Sequence, residues 1–451
     1  MGSYLIELGR KLLRLFRQRG SLPQARIVAV FCGFVIWIVF GGLTAATVAY
    51  ELRLLETSTI GDPYPMTIYQ QLPTPGTERP GSRGTAGADF TQVYTSALAL
   101  RHGDSAYRPK NPQFRDRFGR PPGYPPLMNW IAVPLTFLDF TDAFLLYTAI
   151  AAFALFAVTA VLIWRAGLAG HVGRVALAQA SLYFLTPIGL TYLERGQFDA
   201  LVATAAALCV ACVFQPRRSW LLASAAGLLG ALKWTSVIFL GCFSLVGFIL
   251  IPGRKRWSFA LVPAVMLLGT LPFWPGLVEY WKTIRVYEID AIPYGLTLQH
   301  FFPRTVARLI PVVATLMIAG AARYRYRSEA DRSLILRSIS APFAIALMNL
   351  SVCFGTLSYE YHTVATLGMI PGLVLWTMKA EEVPDWVKRT VCLAFASSLV
   401  ITFRTFGLGG TLRPETLTAI YVAGAIIFFG VCAFILVTHP RTELAHELSL
   451  G

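Results

Sequence analysis

From residue 416 to 437 the chain runs without a single charged side chain, and about a dozen apolar stretches of the same kind occur along it. Nothing else constrains the fold as tightly. A helix needs about 20 apolar residues to cross a hydrocarbon core of about 30 Å, because each residue rises only about 1.5 Å. Apolar spans are read near 27–50, 142–165, 175–193, 197–214, 219–232, 235–251, 258–277, 305–322, 338–357, 363–378, 390–406 and 416–437. In lipid such runs must satisfy their own backbone hydrogen bonds, which helices do. The expected fold is therefore all-α, a polytopic membrane protein of about twelve transmembrane helices. Composition agrees: 14% of the 451 residues are charged, too few to cover a soluble protein of that size. The pair 219–232 and 235–251 is short for two crossings, so a broken or re-entrant hairpin is the alternative there.

Basic residues orient the spans. Arg10, Lys11, Arg14, Arg17, Arg19 and Arg26 precede the first one, which puts the N-terminus in the cytoplasm by the positive-inside rule. Alternation then keeps inside Arg165 and Arg174, Arg217 and Arg218, Arg254 with Lys255 and Arg256, the arginines from 323 to 337, Lys379, Lys388, Arg389 and Arg441. The short outer connections hold only Arg195, Lys233, Arg404 and Arg413. The net charge of +15 is thus assigned to inner loops beside anionic lipid, and no nucleic-acid partner is expected.

Residues 1–26 repeat apolar positions at helical spacing (Tyr4, Leu5, Leu8, Leu12, Leu15, Phe16) and read as an amphipathic helix on the inner leaflet. Residues 27–438 read as a single membrane-embedded domain, and 439–451 as a cytoplasmic tail. Two outer connections are long, 51–141 and 278–304. In the first, Phe90, Val93, Tyr94, Ala97 and Leu98 keep a helical period that Gly103 could end. Residues 127–138 are apolar but too short to cross, which suggests a re-entrant or interfacial helix. The seven cysteines all lie in apolar runs; Cys209 and Cys212 have CxxC spacing but no second pair or histidine cluster, so they read as packing residues.

With this orientation the notable polar residues share the outer side: Asp89, the Glu194–Arg195–Gln197 connection, Lys233, then Glu288, Asp290 and His300, and finally Glu360 and His362. Ionisable groups near the membrane core are costly and mark sites or pathways. One shared cavity is the functional reading; the plain reading is that short outer loops need some polar residues. Asp89 begins a helix, where a carboxylate can cap or act as a base. Lys233 could bind an anion or snorkel to the interface. No metal-ligand spacing occurs, and Asp89 has no Asp-x-Asp partner, so no metal is expected.

An ordered set of motifs then becomes familiar. The first loop reads Gly87-Ala88-Asp89-Phe90, then Tyr94, Gly103, Tyr107 and Tyr124-Pro125-Pro126-Leu127. Gly196-Gln197-Phe198-Asp199 follows the third span, Lys233 sits in an Ala/Leu/Gly-rich run, and His362 comes late. This order resembles the family 87 glycosyltransferases, multispanning C-type (GT-C) enzymes that include polyprenol-phosphate-mannose-dependent α-1,2-mannosyltransferases and an arabinofuranosyltransferase branch. The resemblance covers residues 88–240 well and 350–370 loosely. Two departures stand out: residues 357–362 lack a Ser-Pro before the histidine, and Lys233 is followed by Trp234 where proline is common.

The resemblance implies transfer of a sugar, mannose first and arabinofuranose second, from a polyprenyl-phosphate donor. The acceptor would be a glycolipid or envelope glycan at the extracytoplasmic face of the cell membrane. It implies Asp89 as catalytic base with His362 assisting, and Lys233 and Arg195 on the donor phosphate. Gln197, Asp199, Tyr94, Tyr124 and Glu360 would contact sugar or acceptor, and Glu360 could instead set the charge of His362. No cofactor beyond the donor is expected. The rival from another class is a transporter or flippase of lipid-linked sugars, which ordinarily shows related halves and midplane charges; this chain has an asymmetric first loop instead.

Overall fold

A computed structural model describes residues 87–116, 122–165, 167–184, 189, 192, 195–215, 217–291, 296–354, 360–379, 385–386, 388–393 and 414–438. The expected amphipathic helix 1–26, the first span at 27–50, most of the span at 390–406 and the tail 439–451 lie outside the described residues, as do Glu194 and the side chains of Glu288, Asp290 and Glu360.

Every regular element among the described residues is helical. They are α1 (Ala88–Arg101), α2 (Pro126–Ile131), α3 (Phe140–Arg165), α4 (Val172–Phe184), α5 (Asp199–Phe214), α6 (Ser219–Leu232), α7 (Val237–Leu250), α8 (Arg256–Thr270), α9 (Trp274–Ala291), α10 (Arg304–Arg325), α11 (Glu329–Phe354), α12 (Val364–Lys379) and α13 (Pro414–Thr438). Among the described residues, five segments are long and apolar enough to cross a membrane: Phe140–Val161, Gly253–Ile284, Arg304–Arg325, Glu329–Phe354 and Glu415–Thr438. The chain is a membrane protein. Helices α5, α6 and α7 are apolar but shorter, with 16, 14 and 14 residues. At about 1.5 Å per residue they fall short of a 30 Å core.

The centre of the bundle is α11, whose run from Ile335 to Leu350 is buried except at Arg337. It packs against α13, α7, α12 and α5, while α8 packs against α6 and α7. The weak pair of the sequence reading is two separate helices. At Lys233 the backbone is extended (φ −145°, ψ 107°), and a 3-10 turn over Trp234–Ser236 restarts the chain into α7.

The outer segment before α3 is ordered much as its periodicity predicts. Helix α1 ends near Gly103, whose φ of +73° is a left-handed conformation open to glycine. The short apolar run folds as α2 followed by a 3-10 turn over Val133–Phe137, and both pack on α1.

Two boundaries differ from the sequence reading: α11 begins at Glu329, well before the span expected at 338–357, and α9 runs on past 278. An outer loop is expected from 278, yet helix α9 continues to Ala291. The five charged residues between 279 and 290 end a hydropathy run there. They do not end the helix, because Leu277, Tyr280 and Ile284 recur on one face and pack with Ala106 and Tyr107. Amphipathic period, rather than mean hydropathy, marks this element.

Candidate active site

Seven of the sequence-predicted residues meet at one place: Asp89, Tyr124, Arg195, Gln197, Asp199, Lys233 and His362. Gly196 makes the turn into α5 with φ +66°, and a methyl group there would lie 2.5 Å from Phe144 Cε2. No other residue type fits without displacing that ring or the backbone. The turn throws Arg195 and Gln197 toward the start of α1. Arg195 donates to Asp89 through Nε (2.6 Å) and a terminal nitrogen (3.0 Å), a bidentate grip. Gln197 Nε2 donates to the same carboxylate.

Asp89 stands in the first turn of α1, two residues after the N-cap Gly87, and its oxygens accept from Arg195 and Gln197.

The carbonyl end of Gln197 faces the other way. Its Oε1 accepts from Lys233 Nζ at 3.0 Å and from the Tyr124 hydroxyl at 3.3 Å. Lys233 also donates to Asp199 Oδ2 at 2.9 Å, and His362 Nδ1 lies 3.0 Å from that oxygen. The result is a continuous chain, Arg195–Asp89–Gln197–Lys233–Asp199–His362. Each carboxylate touches a cation, and one amide joins the two halves. Asp89 is 6% exposed, Lys233 5% and Asp199 3%. Burying such ions costs several kcal/mol each before pairing, so pairing is what lets this interior hold them.

Aromatic rings hold the cluster in place. Phe90 stacks on Tyr147 (5.5 Å), and Tyr147 lies 4.3 Å from Phe198. Tyr147 donates to the Gln197 carbonyl at 2.7 Å, and Tyr192 accepts from the Ala200 N–H at 2.9 Å. Gln92 accepts from the Gly123 N–H at 3.1 Å and so fixes the segment that presents Tyr124. The sequence reading missed Tyr147, Tyr192 and Gln92. Nothing in the local pattern distinguishes two tyrosines in apolar runs, and Gln92 differs from any surface polar residue only by where its helix lies.

Tyr94 is placed differently. Its hydroxyl donates to the Leu138 carbonyl at 2.8 Å and ties α1 to the turn after α2. Tyr107, which donates to the Tyr124 carbonyl at 2.7 Å, lines a second recess instead. His300 stands in a 3-10 turn, Leu298–His300, before α10. Among the described residues no group of three or more His, Cys, Asp and Glu side chains is arranged to hold a metal ion.

The sequence model of glycosyltransferase family 87 matches residues 123–351, just over half of the chain. The chain belongs to glycosyltransferase family 87. No curated protein matches it in sequence. Within this family 87 glycosyltransferase the matched stretch contains Tyr124, Arg195, Gln197, Asp199 and Lys233. Asp89 and His362 lie outside it on either side, and they are joined to it by the hydrogen bonds just described.

Proposed function

We propose that this glycosyltransferase uses a polyprenyl-phosphate sugar, with mannose the first expectation, and transfers it with inversion to a glycolipid or envelope glycan at the outer face of the cell membrane. The observation that carries the reading is the shared amide of Gln197, which donates to Asp89 and accepts from Lys233. A carboxylate and an ammonium are thereby held at opposite ends of one amide, so a base and a phosphate-binding cation stand close together. The acceptor hydroxyl oxygen attacks the anomeric carbon as its proton passes to Asp89. The bond from that carbon to the phosphate oxygen breaks, and the electron pair leaves with the polyprenyl phosphate. Lys233, with His362 beside it, supplies positive charge to the departing phosphate. Arg195 aims Asp89, and Tyr124, Gln197 and Asp199 border the same space.

Neither half of this step requires a metal, since the leaving group is already a phosphate ester and cations stand next to it. Purified protein in nanodiscs, given radiolabelled polyprenyl-phosphate mannose and a glycolipid acceptor, is expected to form a labelled product in excess chelator. Nucleotide-activated mannose should not substitute. Activity only with polyprenyl-phosphate arabinofuranose would move the enzyme to the second sugar. Loss in chelator with recovery on adding manganese would assign a metal to the site. Movement of intact donor across the bilayer with no transfer would replace the reading with a flippase.

A further inference from the structure

Beside the ionic cluster lies a cavity of a different character. It has a volume of about 330 Å³ and is lined by Ser105, Tyr107, Asn129, Trp130, Phe273 and Glu279, with Pro126 and neighbouring prolines in its wall. That is the low end of the size range of small-molecule sites, about 300–1,000 Å³, and suits one or two sugar rings. Asn129 is 0% exposed; its Nδ2 reaches the Tyr107 hydroxyl at 3.3 Å, while its Oδ1 has no hydrogen-bond partner among the described residues. A buried amide oxygen left unmatched costs about 1–3 kcal/mol, so a ligand hydroxyl that donates to it has something to recover.

The other groups select the same chemistry. Glu279 is half-buried and accepts from Ser105 Oγ at 3.2 Å, which leaves carboxylate lone pairs for further donors. Burial, together with the nearby Tyr280 phenol and the Glu279 carboxylate, pushes the Tyr107 hydroxyl well above its ordinary pKa, so it remains neutral. Trp130 and Phe273 stand 6.1 Å apart at the rim and offer apolar faces to C–H groups. The lining contains no lysine, arginine or histidine. A phosphate would meet only the Glu279 charge, and a lipid tail would offer no donor to Asn129 Oδ1 or to the remaining lone pairs of Glu279. A neutral polyol with an apolar face, a sugar, meets all of these conditions.

Two hydrogen bonds lead from the cavity to the cluster: Tyr107 in its wall donates to the Tyr124 carbonyl at 2.7 Å, and the Tyr124 hydroxyl donates to Gln197 at 3.3 Å. We infer that this cavity seats a neutral sugar unit of the acceptor next to the Asp89–Lys233 cluster. The inference rests on the transferase reading for the word acceptor, and on the cavity alone for the sugar.

Saturation-transfer NMR on wild-type protein in nanodiscs, with methyl α-mannopyranoside and methyl β-glucopyranoside as probes, tests it without any turnover. At least one glycoside should receive saturation. Glu279→Gln and Asn129→Leu should each weaken that binding about tenfold, the scale of one lost hydrogen bond to a charged or buried partner, whereas Asp89→Asn should keep it. No signal from wild type overturns the inference, as does equal signal from all four proteins. Loss confined to Asp89→Asn would mean that the sugar sits in the cluster, as a donor sugar does, and would also overturn it. If Asn129→Leu does not fold, Glu279→Gln decides, since that change preserves shape at a half-buried position. Donor turnover, assayed on the same wild-type sample, separates the two readings. Glycoside binding without turnover keeps the cavity and sinks the transferase step; turnover without glycoside binding does the reverse.

Discussion

Asp89, Gln197, Lys233 and Asp199 at the heart of the ionic cluster are buried, as is the middle of α11, yet the two are held by different means. In α11 three serines bond within their own helix: Ser338 to the Leu334 carbonyl at 3.2 Å, Ser340 to that of Arg337 at 3.0 Å and Ser351 to that of Leu347 at 2.7 Å. In the cluster the bonds join residues 106 positions apart for Arg195 with Asp89 and 163 apart for His362 with Asp199. The first kind survives any arrangement that keeps the helix. The second exists only while α1, the turn before α5, the break at Lys233 and the segment before α12 hold their places together. Burial alone does not separate these two regions; the reach of their polar bonds does.

That contrast can be broken in several places. The largest expected effect is on chemistry. Asp89→Asn keeps the shape but can accept only one of the two bonds from Arg195, and it removes the proton acceptor, so turnover measured on protein that still folds should fall by roughly 100-fold or more. A near-normal transfer rate in a purified-enzyme assay would take Asp89 out of the step and turn attention to Asp199.

Next in size is the breaking of a buried pair. Lys233→Met leaves Asp199 without its ammonium partner and should destabilise by about 3–5 kcal/mol, read as a fall in unfolding temperature in detergent. Adding Asp199→Asn should recover part of that loss. Two changes that simply add would mean the residues are not coupled.

Gly196→Ala tests the turn that aims Arg195 and Gln197. The positive φ and the close Phe144 ring should cost about 1–3 kcal/mol and lower turnover as well, because both side chains shift. An alanine variant with wild-type stability and rate would show the turn to be permissive. By contrast Ser340→Ala in α11 should change stability by no more than about 1 kcal/mol and leave transfer alone. A large loss there would erase the distinction between local and long-range polar bonds.

The smallest effect concerns the outer segment. Backbone N–H groups of Asn111, Ser105 and Lys110 hold the Asp104 carboxyl below its ordinary pKa. A depressed folded value means that this carboxylate stabilises the turn above the ordinary carboxylate range, and that the contribution is lost as pH falls through the folded value. Amide exchange at residues 105–111 should therefore quicken below about pH 4. In Asp104→Asn it should already be fast at neutral pH and show no such step; a step that persists in the variant would assign it to another group.

Much of this architecture was legible before any coordinates. Hydropathy located α3, α5, α6, α7, α10, α12 and α13 to within a few residues, because a helix in lipid must be apolar along its length and the signal is local. The same measure stopped short at α9, where charges share the helix with an apolar face. The site residues were legible as a set, since ionisable groups are conspicuous in a chain this apolar. Their pairings were not. Arg195 was expected on a phosphate and is found on Asp89; Tyr94 was expected near sugar and is found bracing Leu138.

By itself the sequence determined the helical membrane architecture, the positions of most helices, the family and the identity of the residues gathered at the site. Packing alone set which carboxylate meets which cation, that one glutamine amide links the two halves, and that a cavity whose one charged side chain is Glu279 opens near them. The physical reason is range. Helix formation in an apolar medium is set by the few residues on either side. A hydrogen bond between groups 106 or 163 positions apart depends on how every intervening helix packs.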